Sequence, residues 1–246
     1  MTRLDPRLLL QGYASGIFPM ADSRAAQDLF WVEPRQRAII PLDRFHLSRS
    51  LRRTLRSGRY DVTLDQAFGD VVAACAKREE TWINGEIEAA MHALHGAGFA
   101  HSVEVWGAGG AGGELVGGLY GVKLGRAFFG ESMFSSARDS SKIALAWLVA
   151  RLRTGNFALL DCQFMTSHLE SLGAITVSRE DYVALLSAAL GGGEAGAAGT
   201  AAPGAPDEAP PAADLAALDR LLETCGAAGA GGPAGKVIAQ LLGQTS

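Results

Sequence analysis

The chain has 246 residues, 48% of them hydrophobic and 20% charged, with a formal net charge of −4. That is ample for a packed core in one large domain or two and marks a globular protein. No apolar run approaches the roughly 20 residues a membrane span needs and no signal-like segment opens the chain; three widely spaced cysteines (Cys75, Cys162, Cys225) support neither a disulfide framework nor a zinc site, so a cytoplasmic protein without membrane contact is expected.

Charge is unevenly placed. Residues 191–246 hold six acids against Arg220 and Lys236, which accounts for the whole net charge and leaves the body neutral. Within that body, residues 35–60 carry eight arginines and one acid, Asp43, an excess typical of a surface that meets phosphates.

Taken in order, residues 1–22 open with LLLQGYASGIFPM, in which any helix should end by about Gly16. Trp31 leads into Pro34 and a strand-like Ala38 to Ile40. Leu47 to Ser57 reads as a helix with Ser48 as N-cap and Gly58 just past its end. Arg49, Arg52, Arg53 and Arg56 form one stripe and Leu47, Leu51 and Leu55 the opposite one. Four like charges repel, and an anionic partner would relieve them.

From Tyr60 strands and helices alternate: strand 60–64, helix 65–77, a loop with Trp82, helix 86–95 and strand 101–106. Residues 114–134, ELVGGLYGVKLGRAFFGESMF, read as a hairpin turning at Lys123 to Gly125. Gly117, Gly118, Gly121 and Gly130 sit where a strand would carry packing side chains, which suggests that a ligand or another backbone comes close. Helix 140–153, strand 157–164, a short helix 167–172, strand 174–178 and helix 180–190 follow. The whole reads as an α/β domain with a mixed sheet and helices on both faces. Residues 191–212 read as a Gly/Ala/Pro linker, with short helices at 214–224 and 236–242 that would be marginal alone.

Two acids interrupt apolar strands. Glu131 lies among Phe128, Phe129, Met133 and Phe134, and Asp161 among Leu159, Leu160 and Cys162, where carboxylates need partners or a cavity. The two-residue strand period puts Asp161 and Gln163 on one face. Around a pocket floored by Leu119, Phe128 and Leu145, such groups could deprotonate an amine and stabilise charge on an attacked carbonyl, which suits acyl transfer. Satisfying buried backbone donors is an equal reading of each acid taken alone. Serines 132, 135 and 136 lack a nucleophile-elbow signature, no nucleotide-binding glycine loop is present, and His168 reads better as structural than as a base.

These stretches carry a resemblance. LLLQGYASGIFPM, F-W-x-x-P at Phe30 to Pro34, ETWI at 80–83, HSVEVW at 101, ELVGGLYGV at 114, FFGESMFS at 128, LLDCQ at 159 and HLESLGA at 168 are together similar to the leucyl/phenylalanyl-tRNA–protein transferase family, over about residues 5–190. The resemblance implies transfer of Leu or Phe, with Met as a third candidate, from aminoacyl-tRNA to the N-terminal Arg or Lys of an acceptor protein. That forms a peptide bond and creates a degradation signal of the N-end rule. No metal or organic cofactor is implied, and a monomer is expected. The fold implied is a GNAT-like catalytic domain, placed at 61–190, beside a smaller N-terminal domain at 1–60, with 191–246 as a tail.

By position, Asp161 and Gln163 match the family's catalytic pair and Glu131 the acid beside it. Leu119, Phe128 and Leu145 match the aminoacyl pocket. Trp31 and Trp82 match aromatics near the tRNA 3′ end, where they could stack on the terminal adenosine, while Arg49, Arg52, Arg53 and Arg56 would grip the acceptor stem. Where many members read W-W-S-P-D-P-R, this chain has Val32 for the second tryptophan and Arg35 for the acid; a family tyrosine is Met91. Two other readings stand beside this one: an acyl-CoA N-acetyltransferase, whose pyrophosphate loop is missing before helix 140–153, and a non-catalytic RNA-binding module.

Overall fold

The computed structural model describes residues 4–78, 80–191, 211–228 and 234–243. Asp5 caps the first helix, α1 (Pro6–Ala14), by accepting from the Arg7 amide, and the left-handed Gly16 ends it. Two three-residue strands, β1 (Phe18–Met20) and β2 (Phe30–Val32), pair as a separate ribbon.

All later strands join one sheet. They are β3 (Gln36–Ile39), β4 (Asp61–Leu64), β5 (Ala100–Trp106), β6 (Leu115–Leu124), β7 (Ala127–Ser135), β8 (Leu159–Gln163) and β9 (Ile175–Ser178), in the order β4-β5-β6-β7-β8-β3-β9. Neighbours are antiparallel except β7 with β8, which run parallel. A parallel pair needs a crossover, here the helix Ser140–Thr154.

The expected mixed α/β architecture is present. The helices are α2 (Arg49–Arg56), α3 (Phe68–Ala76), α4 (Gly85–Gly96), α5 (Ser140–Thr154), α6 (Ser167–Glu170), α7 (Arg179–Ala189), α8 (Ala217–Thr224) and α9 (Ala234–Leu241). Strand alternation sends Val103, Phe128 and Leu160 into one core with α2, α5, α8 and α9. Tyr120, Phe129 and Leu159 go into the other with α1, α3, α4 and α7. Met91 is buried in this second core.

Helix α5 is buried almost all round, from Ile143 through Leu152. Such a helix needs cover on the side away from the sheet, and the C-terminal segment supplies it. Leu215, Leu218, Leu222, Ile238 and Leu242 are buried in the same core as Trp147 and Leu55. Arg151 of α5, 2% exposed, donates to the Leu215 carbonyl at 2.9 Å and with both terminal nitrogens to Asp219 at 2.6 Å. The helices expected to be marginal alone are therefore docked; most of the 191–212 linker reading lies outside the described residues.

One expectation is corrected, and of the two readings left open for the hairpin glycines, ligand or neighbouring backbone, the second holds. Arg37, counted with a cationic surface, is 1% exposed inside β3; the other seven arginines of 35–60 are exposed. The hairpin glycines make room for the protein itself. A Cβ at Gly117 would strike Ser140 at the start of α5, and one at Gly121 would strike the Phe129 carbonyl and Phe128 ring. Among the described residues no helix is long and apolar enough to cross a membrane, and no cluster of three or more His, Cys, Asp or Glu could hold a metal ion.

Candidate active site

β7 and β8 stay paired only from Ala127↔Leu159 to Phe129↔Asp161. Beyond that point β7 continues along β6, while β8 ends against β3. The divergence coincides with a bulge: Tyr120 faces Ser132 and Gly121 faces Gly130, so Glu131 is the extra residue with no partner across the ladder. Bulges of this kind re-aim side chains next to active sites, and Glu131 is aimed into a cavity of about 400 Å³ at the opening.

That cavity is lined by Leu119, Leu145, Leu148, Leu160, Met133 and Phe134, with Trp82, Arg78, Cys162 and His168 on its walls. Glu131 is 7% exposed. Its Oε1 accepts from Gln163 Nε2 at 2.8 Å, while Oε2 has no hydrogen-bond partner. Burial pushes the carboxyl up to about 7; the nearby Tyr13 hydroxyl and the Gln163 amide oppose this by favouring the charged form. The buried Tyr13 hydroxyl likewise has no hydrogen-bond partner, and burial together with the neighbouring Glu131 carboxyl raises its pKa.

Asp161 lies behind this wall and is fully buried. Its Oδ2 accepts from Arg37 Nη2 at 2.7 Å and from the Tyr182 hydroxyl at 2.9 Å; Oδ1 accepts from Arg37 Nε at 3.0 Å and the Gln163 amide at 2.8 Å. The Arg37 guanidinium is sandwiched by the Phe18 and Tyr182 rings, each 4.6 Å away, and also donates to the Gly16 carbonyl. Gln163 has φ +63°, so the strand alternation ends there. Asp161 turns toward Arg37, and the Gln163 amide reaches Glu131.

The structure thus brings Glu131, Leu119, Leu145 and Trp82 to one cavity and links Gln163 to it. Asp161 stands one residue behind. Phe128 is buried in the core on the α5 side, outside the cavity lining. Trp31 borders a different cavity, with its ring against Gly12. Arg49, Arg52, Arg53 and Arg56 line the exposed side of α2, and among the described residues none of them is ion-paired.

Sequence reading missed Arg37 and Tyr182, which hold Asp161, and Tyr13. The signal for Arg37 was present: it is one residue from the apolar Ala38 to Ile40 in a strand. His168, read as structural, lines the cavity with Nε2 unpartnered, and burial lowers its pKa.

An apolar cavity holding one carboxyl whose pKa burial raises toward neutrality suits transfer of an apolar acyl group to an amine and points to a class, the acyltransferases. Comparison narrows it. The profile of the leucyl/phenylalanyl-tRNA protein transferase matches residues 39–187, and that of its N-terminal domain residues 2–35. Proteins called leucyl/phenylalanyl-tRNA–protein transferase in Rhizorhabdus wittichii and Zymomonas mobilis are similar to this chain. The first is 64% identical over 195 residues (78% of this chain, 77% of the relative), and the second 56% over 191 (76% and 70%). One from Ruegeria pomeroyi is 57% identical over 189 residues, covering 77% of this chain and 88% of its own. A solved chain, L-PGS from Bacillus licheniformis, overlaps 67% of this chain and 55% of its own at 12% identity and a TM-score of 0.38, too loose to argue from. The chain belongs to the leucyl/phenylalanyl-tRNA–protein transferase family and is an aminoacyltransferase.

Proposed function

We propose that this protein transfers leucine or phenylalanine from its aminoacyl-tRNA to the N-terminal Arg or Lys of an acceptor protein, in the cytoplasm, as a step of N-end-rule degradation. The acceptor's α-amine attacks the ester carbonyl. A C–N amide bond forms, the C–O bond to the terminal ribose breaks, and tRNA leaves as the alcohol while the amine gives up a proton. The observation that carries the reading is Glu131, a buried carboxyl in the wall of an apolar cavity of about 400 Å³, with Oε2 lacking a hydrogen-bond partner. That volume suits one leucyl or phenylalanyl side chain against Leu119 and Leu145.

Glu131 takes the proton from the amine and returns it to the departing ribose oxygen. Its raised pKa matches a general base working near neutrality, and its negative charge also favours a cationic acceptor residue. Gln163 holds Oε1 and so fixes the Glu131 carboxyl in the cavity wall, and Asp161 fixes Gln163 through its backbone amide, itself clamped by Arg37 and Tyr182. Trp82 offers a stacking platform for the terminal adenosine.

The test is transfer of labelled leucine from leucyl-tRNA to a peptide beginning with arginine, beside one beginning with alanine. Label on the arginine peptide alone supports the reaction and its acceptor rule. Label on neither, with tRNA still bound, overturns it.

A further inference from the structure

The cationic stripe of α2 does not stop at the end of the helix. A groove of about 370 Å³ beside its last turns is lined by Ser50, Arg53, Thr54, Ser57, Arg59 and Arg138. Every one of these side chains carries a donor, and none is a carboxylate. Arg53 comes from α2, Arg59 from the segment that follows it, and Arg138 from the loop between β7 and α5. The Tyr60 hydroxyl donates to the Arg138 carbonyl at 2.9 Å and ties the last two segments together. Asp139 is the acid beside this groove, with Oδ2 3.7 Å from Arg138 Nε; the Arg138 side chain is 81% exposed. Three guanidinium groups gathered beside a single acid keep a net positive charge that an entering anion relieves, and the planar donor fork of arginine fits phosphate oxygens.

The place of Arg138 gives the groove a direction. Its loop joins two residues of the catalytic cavity wall, Ser135 at the end of β7 and Ser141 in the first turn of α5. A backbone lying along α2 and through the groove is therefore led to the cavity rim.

We propose that Arg59 and Arg138, with Arg53, form a phosphodiester-binding groove that carries the tRNA backbone from α2 to the catalytic cavity and so sets the register of the aminoacyl end. This rests on the reading of aminoacyl-tRNA as donor. Contacts of this kind position without reading sequence.

The experiment measures leucyl-tRNA binding against salt, and kcat and KM for transfer, in Arg59→Glu, Arg138→Glu and Arg52→Glu. For Arg59→Glu and Arg138→Glu we expect several-fold weaker binding and a log–log salt slope shallower by about 1 per variant. KM for leucyl-tRNA should rise with kcat at saturation retained, and the melting temperature should stay unchanged because both side chains are exposed. Wild-type binding and slope in both, with Arg52→Glu weakened, overturns the groove and leaves the donor reading standing. If Arg52→Glu also binds as wild type, the donor reading along α2 fails as well.

Discussion

Glu131 and Asp161 look alike in sequence, each a carboxylate inside an apolar strand, yet the structure gives them opposite energetics. Asp161 meets Arg37, Tyr182 and a backbone amide, so every oxygen is satisfied. Removing one partner of a buried pair costs about 3–5 kcal/mol. Arg37→Ala and Asp161→Ala should each lower the melting temperature by roughly 10 °C, with lost transfer following lost structure; an Asp161→Ala protein that melts as wild type yet is inactive would assign Asp161 a direct chemical part. Glu131 is costly to keep charged. Its folded pKa of about 7 exceeds the usual 4.5, so the folded state holds the proton more tightly. The stability this lends is complete below the unfolded pKa and is lost as pH rises toward 7. Above that, the buried charge costs up to about 3 kcal/mol. Glu131→Gln, which can still accept from Gln163, should therefore melt higher than wild type at about pH 8 while losing about a hundredfold or more in kcat. Wild-type kcat should rise with pH through about 7, and a flat profile would remove Glu131 as the base. Sequence made both acids conspicuous because burial of a charge is anomalous anywhere. It could not rank them, because the ranking depends on Arg37, 124 residues away, and on a bulge that one strand alone does not reveal.

Among elements, legibility followed the locality of the signal. Helix α2 is announced by Ser48, which caps it by accepting from the Leu51 amide, and by the left-handed Gly58 after it; the hairpin is announced by β-forming residues around a turn. The β1–β2 ribbon has only three residues per strand, too few for a periodic pattern. The docking of α8 and α9 was hidden for another reason. Their leucines show the spacing of an amphipathic helix, but the surface that receives them is the outer side of α5, apparent only once α5 is seen to be buried all round. That docking reaches the arginine helix directly, because a Cβ at Gly235 would collide with the Leu55 carbonyl oxygen in the last turn of α2. Gly235→Leu should push α9 off α2 at about 1–3 kcal/mol, lowering the melting temperature by several degrees. It should also raise KM for leucyl-tRNA, since α2 loses its backing. A variant that melts lower with KM unchanged would make the C-terminal segment a cover for α5 alone.

For the whole molecule, charge is sorted rather than balanced. With a net charge of −4 and an isoelectric point near 5.7, the protein as a uniform body should repel a polyanion at neutral pH. The C-terminal segment, residues 191–246, is poor in basic residues and accounts for the whole net charge; within it Asp219 is engaged with Arg151 and Asp214 with Arg220. The arginines of α2 are left without ion-pair partners among the described residues, and Arg59 and Arg138 continue their line to the cavity. Local potential, not net charge, governs phosphate binding within a Debye length of about 8–10 Å. Binding of leucyl-tRNA should then be steeply salt-dependent despite the acidic isoelectric point. If four to six phosphates meet these arginines, log Kd against log salt should have a slope magnitude of roughly 3–5. Charge-neutral changes on the opposite side of the sheet, in α4 for example, should leave that slope alone. A slope near zero would mean that tRNA is held through Trp82 and the cavity, by stacking and apolar contact, and that the sorted charge serves another anion.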